Sequence, residues 1–295
     1  MKNTNKTPAQ QPVQQPPQLP QGFSTESLKT IAVIAVLVLA FTNWNSLIAI
    51  MVNIMIFIYR IAGHNFGLAI ILFTILIRVV TWPLNAQQMK GQVAMQEMQN
   101  DKEWQAIQKK YAKDKEKLAQ EQMRVYREKG INPFGSCLPM LIQFPILFAL
   151  IPTITYAIGS TPLSLLKLAE YAYDFQNVVG LLPLKSNFLW MDDLGLPERT
   201  LVLGLSIPVL ALIVGITTYV QTKLTMPPSA DPNDQAAQTT KMMAIYMPVM
   251  LFFFSLNYAS GLAVYFITSN VLGIVQYALQ GKANWRNLLP GGQKK

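Results

Sequence analysis

Acidic residues are scarce in this chain, and whole stretches have none. Of 295 residues only 15 are Asp or Glu against 24 Lys or Arg, and charged residues of all kinds make up 13%. There is one cysteine, Cys137, and one histidine, His64. A lone cysteine excludes an intrachain disulfide framework and a thiolate cluster. A lone histidine cannot build a histidine-rich metal site. Neither a Gly-rich phosphate loop nor a nucleophile and histidine constellation is present, so the chain does not read as an enzyme, and no cofactor or metal is expected. What abounds is apolar: 51% of residues, too oily for an ordinary soluble domain. The net charge of +9 sits in segments flanking apolar runs, as the positive-inside rule requires, so no nucleic-acid role is expected.

The most informative run is 66–84, FGLAIILFTILIRVVTWPL, nineteen residues long with a single arginine, Arg78. Roughly 20 apolar residues cross a bilayer core. A guanidinium near a helix centre costs about 2.5–3.5 kcal/mol on insertion scales, which several Leu or Ile can offset. Two readings follow. Either Arg78 snorkels to the headgroups, or it faces a hydrated cavity within a helix bundle, where an intramembrane charge is a functional-site candidate.

Residues 1–26 are rich in Gln and Pro and carry too little apolar surface to fold, so a disordered tail is expected. Residues 27–44 form a short apolar segment, read as an uncleaved signal anchor in preference to a signal cleaved near Ala40. In 45–64, Ser46, Asn53, Arg60 and His64 recur at spacings of seven, seven and four and fall on one helical stripe. With a short apolar stretch beside them, they predict an amphipathic helix in the membrane plane.

Span 65–84 gives way at Trp82 and Pro83 to 85–131, which holds ten basic and seven acidic residues and no apolar run. Helix formers dominate, with a break at Lys113 and Asp114 and a stop at Gly130, so two helices forming a charged hairpin are expected. Its positive excess places it in the cytoplasm. Trp104, Ile107 and Tyr111 on one helix and Ala119, Met123 and Tyr126 on the other either glue the hairpin together or offer a landing surface. Met89, Met95 and Met98 would suit the second role, together with Trp104 and Tyr111, because thioethers adapt to varied partners.

Further spans are expected at 134–157, 201–224, 241–257 and 261–280. Pro145 and Gln143 lie inside the first of these and Pro208 inside the second. The outer segment 158–200 has three basic and five acidic residues, opposite in bias to the hairpin. A polar loop, 225–240, and a basic tail, 281–295, complete an all-α polytopic membrane protein.

WPL before a charged hairpin, then NPFGSCLPMLIQFPI, FLWMDDL, GITTYVQTKL and SGLAVYFITSN in this order resemble the YidC family of membrane protein insertases, over roughly 47–279. The resemblance implies a five-helix insertase core enclosing a polar groove open to the cytoplasm and to lipid, in the bacterial plasma membrane, with hairpin and C-terminus cytoplasmic. It aligns Arg78 with the family's groove arginine and implies groove or substrate-contacting positions at Thr74, Gln143, Gln221, Tyr265 and Phe266. Phe266 stands where some members have tryptophan. The implied partners are nascent membrane proteins and the bilayer, with a ribosome and a Sec translocon as further candidates. A secondary transporter or channel is the main alternative, but no Asp or Glu occupies any core span to serve as an ion relay. An assembly chaperone that inserts nothing shares every feature named so far.

Overall fold

A computed structural model describes residues 42–280 except 100, 113, 131–137, 159–160, 174–183, 203–204 and 226–234. The expected tail, most of the anchor 27–44 and the basic C-terminal tail lie outside the described residues. Asn43–Lys295 forms one compact unit, separate from Met1–Thr42.

Helix α1, Trp44–Ile61, packs against α2, Phe66–Val80, across a tight turn. Gly63 and His64 both take positive φ there (68° and 61°), and the Asn65 side chain accepts the Leu68 N–H at 2.9 Å to cap α2. Such a cap contributes about 1 kcal/mol. Among the described residues, α1 is one of two single helices long and apolar enough to cross a bilayer. Its polar stripe does not all face outward. Asn53 is buried, donating to the carbonyls of Ala49 (2.7 Å) and Tyr171 (2.8 Å) and accepting from the Tyr173 N–H (2.8 Å).

Beyond α2 the chain breaks only at Thr81 before α3, Trp82–Gln99. Pro83 is tolerated in its first turn, where an N–H has no helical partner. Two shorter helices follow, α4, Lys102–Lys110, and α5, Lys115–Glu128. Asp101 caps α4 by accepting the Glu103 N–H, and Asp114 caps α5 by accepting the Lys117 N–H. The projecting element therefore has three helices where two were expected, because Asp101 interrupts the first. The break at 113–114 falls as read, and Gly130 turns the chain at φ 63°. Lys129 pairs with Asp101 across the base. Met98, Trp104, Val125 and Tyr126 form a separate small core with Ile107 and Leu118 packed on it.

Helix α6, Leu138–Ile158, with Pro145 and Pro152 inside, bends by 110° into α7, Pro162–Tyr171. Thr161 and Ser164 cap α7 reciprocally, with Pro162 preset at its first position. Strands β1, Thr200–Val202, and β2, Leu205–Ile207, make a small antiparallel hairpin. The expected span from 201 is corrected here: α8, Val209–Thr225, starts after Pro208, whose ring closes off the helix interior but suits its threshold. Glu198 accepts the Leu210 N–H at 3.0 Å and so satisfies one free donor of α8. Helix α9, Gln235–Asn257, begins six residues before the expected 241, and α10, Ser260–Leu279, follows a two-residue turn.

Helices α2 and α10 pack together, α10 lies on α8, and α8 lies on α9, while α1 covers α6. Outward faces are oily: Leu72, Ile75, Leu76 and Val79 on α2, Leu212 and Ile216 on α8, Val271 and Val275 on α10 are all exposed. Their three- and four-residue spacing is that of helices with lipid on one side.

The end of the bundle away from the hairpin is closed by the FLWMDDL segment. Met191 and Leu194 are buried, and Phe188 lies so tightly on Gly67 that an added Cβ would stand 2.1 Å from its ring. The first N–H groups of α10 are used up by this loop. Ser260 donates to the Leu196 carbonyl at 2.9 Å and Gly261 to that of Leu194 at 2.8 Å.

Truncating the buried Trp104 to alanine removes the centre of the hairpin core, and losses of this kind run to about 3–5 kcal/mol. Trp104→Ala is expected to open trypsin sites at Lys109 and Lys110 while the apolar bundle stays protected. Hydrogen exchange resolved by segment checks both halves of that statement.

A polar cavity around Arg78

Arg78 is placed near the end of α2 by the same periodicity that puts Leu72, Ile75, Leu76 and Val79 towards lipid. Its side chain turns inward. One terminal nitrogen, Nη2, donates to the Ser269 carbonyl at 2.6 Å and to the Ser269 hydroxyl at 2.7 Å on α10. Snorkelling is therefore not what this arginine does; its partner is another helix, 191 residues away in sequence.

The guanidinium borders a cavity of about 310 Å³ between α2, α8, α9 and α10. Asn85 at the start of α3, Thr218, Gln221, Thr222 and Thr225 on α8, and Asn270, Gly273 and Gln276 on α10 also line it, with Met247 and Leu251 on the α9 side. Among the described residues no acidic side chain lines it. The wall is held by hydrogen bonds between helices: Asn270 donates to Thr218 Oγ1 at 2.8 Å and to Thr217 Oγ1 at 3.1 Å, tying α10 to α8. The Gln276 amide nitrogen is buried without a hydrogen-bond partner among the described residues. Buried unpaired donors are uncommon, and at a cavity wall they mark a place for water or a ligand.

Gly273 is what lets α10 come so close. A Cβ built on it would stand 2.5 Å from Gln221 Nε2 and 3.5 Å from Arg78 Nη2. A side chain here displaces the Gln221 amide and meets the arginine at ordinary contact distance.

Of the residues selected from sequence, Arg78 and Gln221 meet in this cavity. Thr74 shares the face of Arg78, but it is buried and its hydroxyl donates to the Ile70 carbonyl at 2.6 Å, leaving the cavity wall to others. Tyr265 and Phe266 are buried one turn nearer the closed end, their rings 5.6 Å apart, with Phe254 edge-on to Phe266 at 6.3 Å. The Gln143 side chain lies outside the described residues, as do those of Met89 and Met95. Met98 and Trp104 are buried in the hairpin's own core, which removes them from any contact surface there; Tyr111 is half-buried. Sequence reasoning missed Ser269, Asn270, Gly273 and Gln276. Their spacing of three, four and seven gives α10 a polar stripe, a signal available within SGLAVYFITSNVLGIVQY.

An all-α fold with oily outer faces, an apolar core and a charged, polar cavity defines a polytopic membrane protein. Residues 57–285 match the family model described as the 60Kd inner membrane protein, and the chain belongs to that family. It is accordingly an integral protein of the inner membrane and not an enzyme. It is 36% identical over 220 residues to the membrane protein insertase YidC of Clostridium tetani, covering 75% of this chain and 83% of that one. A second relative of the same name, from Syntrophobacter fumaroxidans, is 36% identical over 219 residues, 72% of this chain but only 34% of that longer protein. Among solved structures, an active YidC insertase with its first transmembrane domain resolved superposes with a TM-score of 0.52 at 26% identity, covering 83% of this chain and 50% of that one. The chain thus spans most of one relative, a third of another and half of the solved structure.

Filling the Gly273 notch is expected to close the cavity. In a Cys137→Ser background with Thr222→Cys as reporter, Gly273→Leu should slow labelling by a water-soluble maleimide about tenfold. An unchanged labelling rate would mean that water reaches the wall by another route.

Proposed function

We propose that this protein guides apolar segments of nascent membrane proteins into the bilayer, using the Arg78 cavity as a wet, positively charged half-path. The observation that carries this reading is a guanidinium inside an oily bundle whose partner is a neutral serine, beside a polar cavity with no acid in its wall among the described residues. A charge paired with a carboxylate would be structural glue. A charge resting on a neutral group keeps its attraction for an incoming anion.

The physical problem is the polar flank of an inserting segment. Each unsatisfied polar group costs several kcal/mol in hydrocarbon. Helices α2 and α8, with 15 and 17 residues, rise only about 22 and 25 Å, short of a core roughly 30 Å thick. Short helices thin the adjoining lipid, and a cavity at the hairpin end shortens the dry path further. The flank enters the cavity, an acidic residue finds Arg78 in passing, and the apolar segment leaves sideways between helices into lipid. Burial of that segment drives the process, so no nucleotide site is needed. The basic bias of the hairpin sets it, and the C-terminus with it, on the cytoplasmic side; the closed end with the acidic segment 158–200 then faces outward.

Reconstituted in liposomes, the protein should render a small single-span protein with an acidic outer tail protease-protected, and empty liposomes should not. Arg78→Ala is expected to lower that yield about tenfold, the equivalent of about 1.4 kcal/mol, and Arg78→Lys to keep most of it. Equal yields for both variants and the parent would end the electrostatic role of Arg78.

A further inference from the structure

We infer that Ser269 is a positioning residue that limits how tightly the cavity arginine can hold an acidic flank; the inference rests on the substrate path proposed for this cavity. A guanidinium has five N–H donors arranged in two bidentate edges, one from Nε and a terminal nitrogen, the other from the two terminal nitrogens. One terminal nitrogen belongs to both edges. In this structure a single nitrogen, Nη2, makes both contacts to Ser269, at 2.6 Å to the carbonyl and 2.7 Å to the hydroxyl. Both of its hydrogens are taken. The end-on edge lacks a prong, and so does the side-on edge that this nitrogen forms with Nε.

A carboxylate arriving in the cavity therefore meets single N–H donors and not a fork. Bidentate pairing is the strong, geometrically fixed mode of arginine and carboxylate recognition, and single contacts are weaker. A transit site has to release its cargo. Gly273, one turn beyond Ser269 on α10, leaves that nitrogen room, because a Cβ there would already stand in van der Waals contact with it at 3.5 Å. The serine hydroxyl is the adjustable part: the carbonyl stays whatever residue occupies position 269, but the hydroxyl is lost on substitution by alanine.

Ser269→Ala frees one Nη2 hydrogen and restores a two-pronged edge. The test uses the full chain in nanodiscs and a fluorescent single-span peptide with an Asp flank, beside its Asn twin. The variant should bind the Asp peptide about tenfold tighter, leave the Asn peptide unchanged, and release and insert an Asp-flanked substrate more slowly, so that KM and kcat fall together. Ser269→Thr keeps a hydroxyl and should behave as the parent, and the gain should vanish when Arg78→Ala is added. Unchanged or weakened Asp binding in Ser269→Ala, with a parent that distinguishes Asp from Asn, overturns the role of Ser269. A parent that binds the two peptides equally overturns the substrate-path reading itself, and the inference falls with it.

Discussion

One contact organises this molecule: the Arg78 guanidinium against Ser269, made within an apolar helix pair at the edge of a polar cavity. A charge there demands a partner, and the partner chosen is a backbone carbonyl with its own hydroxyl. That choice requires α10 to lie close to α2 and to lack side-chain bulk at Gly273. It also requires the facing wall to be polar, which Thr218 and Gln221 on α8 supply, with Asn270 of α10 bonded to Thr218. The bundle consequently carries oil on its outside as well as in its core, and gathers its interhelical hydrogen bonds around the cavity.

The closed end and the cavity depend on each other. The first N–H groups of any helix are unsatisfied unless something accepts from them. In α10 the accepting groups are the Leu194 and Leu196 carbonyls, and the loop that supplies them also buries Met191 and seats Phe188 on Gly67. Fixing the N-terminal end of α10 in this way fixes the register of Ser269, Gly273 and Gln276 further along. Leu194 and Ser269 are far apart in sequence and have one task in common.

Much of this was legible in the residues. A nineteen-residue apolar run with one arginine pointed to an apolar helix and to the side chain that borders the polar cavity, because the cost of the charge has few solutions. The start of α5 followed from Asp114, a local capping signal. Other features depend on contacts between distant segments. Asn53 reads as a headgroup residue until Tyr171 and Tyr173 are seen to bond it. Pro208 reads as a kink inside a span until Glu198 is found accepting from the next turn. Tyr265 and Phe266 are contact residues by resemblance, and the structure shows them buried beside Phe254. The polar stripe of α10 was present as a pattern, but serine, asparagine and glycine in an apolar helix also fit helix packing, and only their neighbours tell the two uses apart.

The seal of backbone hydrogen bonds at the far end of α10 has an electrical consequence. A membrane that stores energy as a potential loses about 2.3 kcal/mol per charge per 100 mV through any continuous water file. Towards that end α2 and α10 carry the buried Phe66, Ile70, Phe73, Leu262 and Phe266, and a cavity stopped by such apolar packing can be wet over part of its depth without forming a continuous water file. Hydration and conduction are thereby separated, and a cell can keep many copies of such a protein in its energised membrane without discharging it.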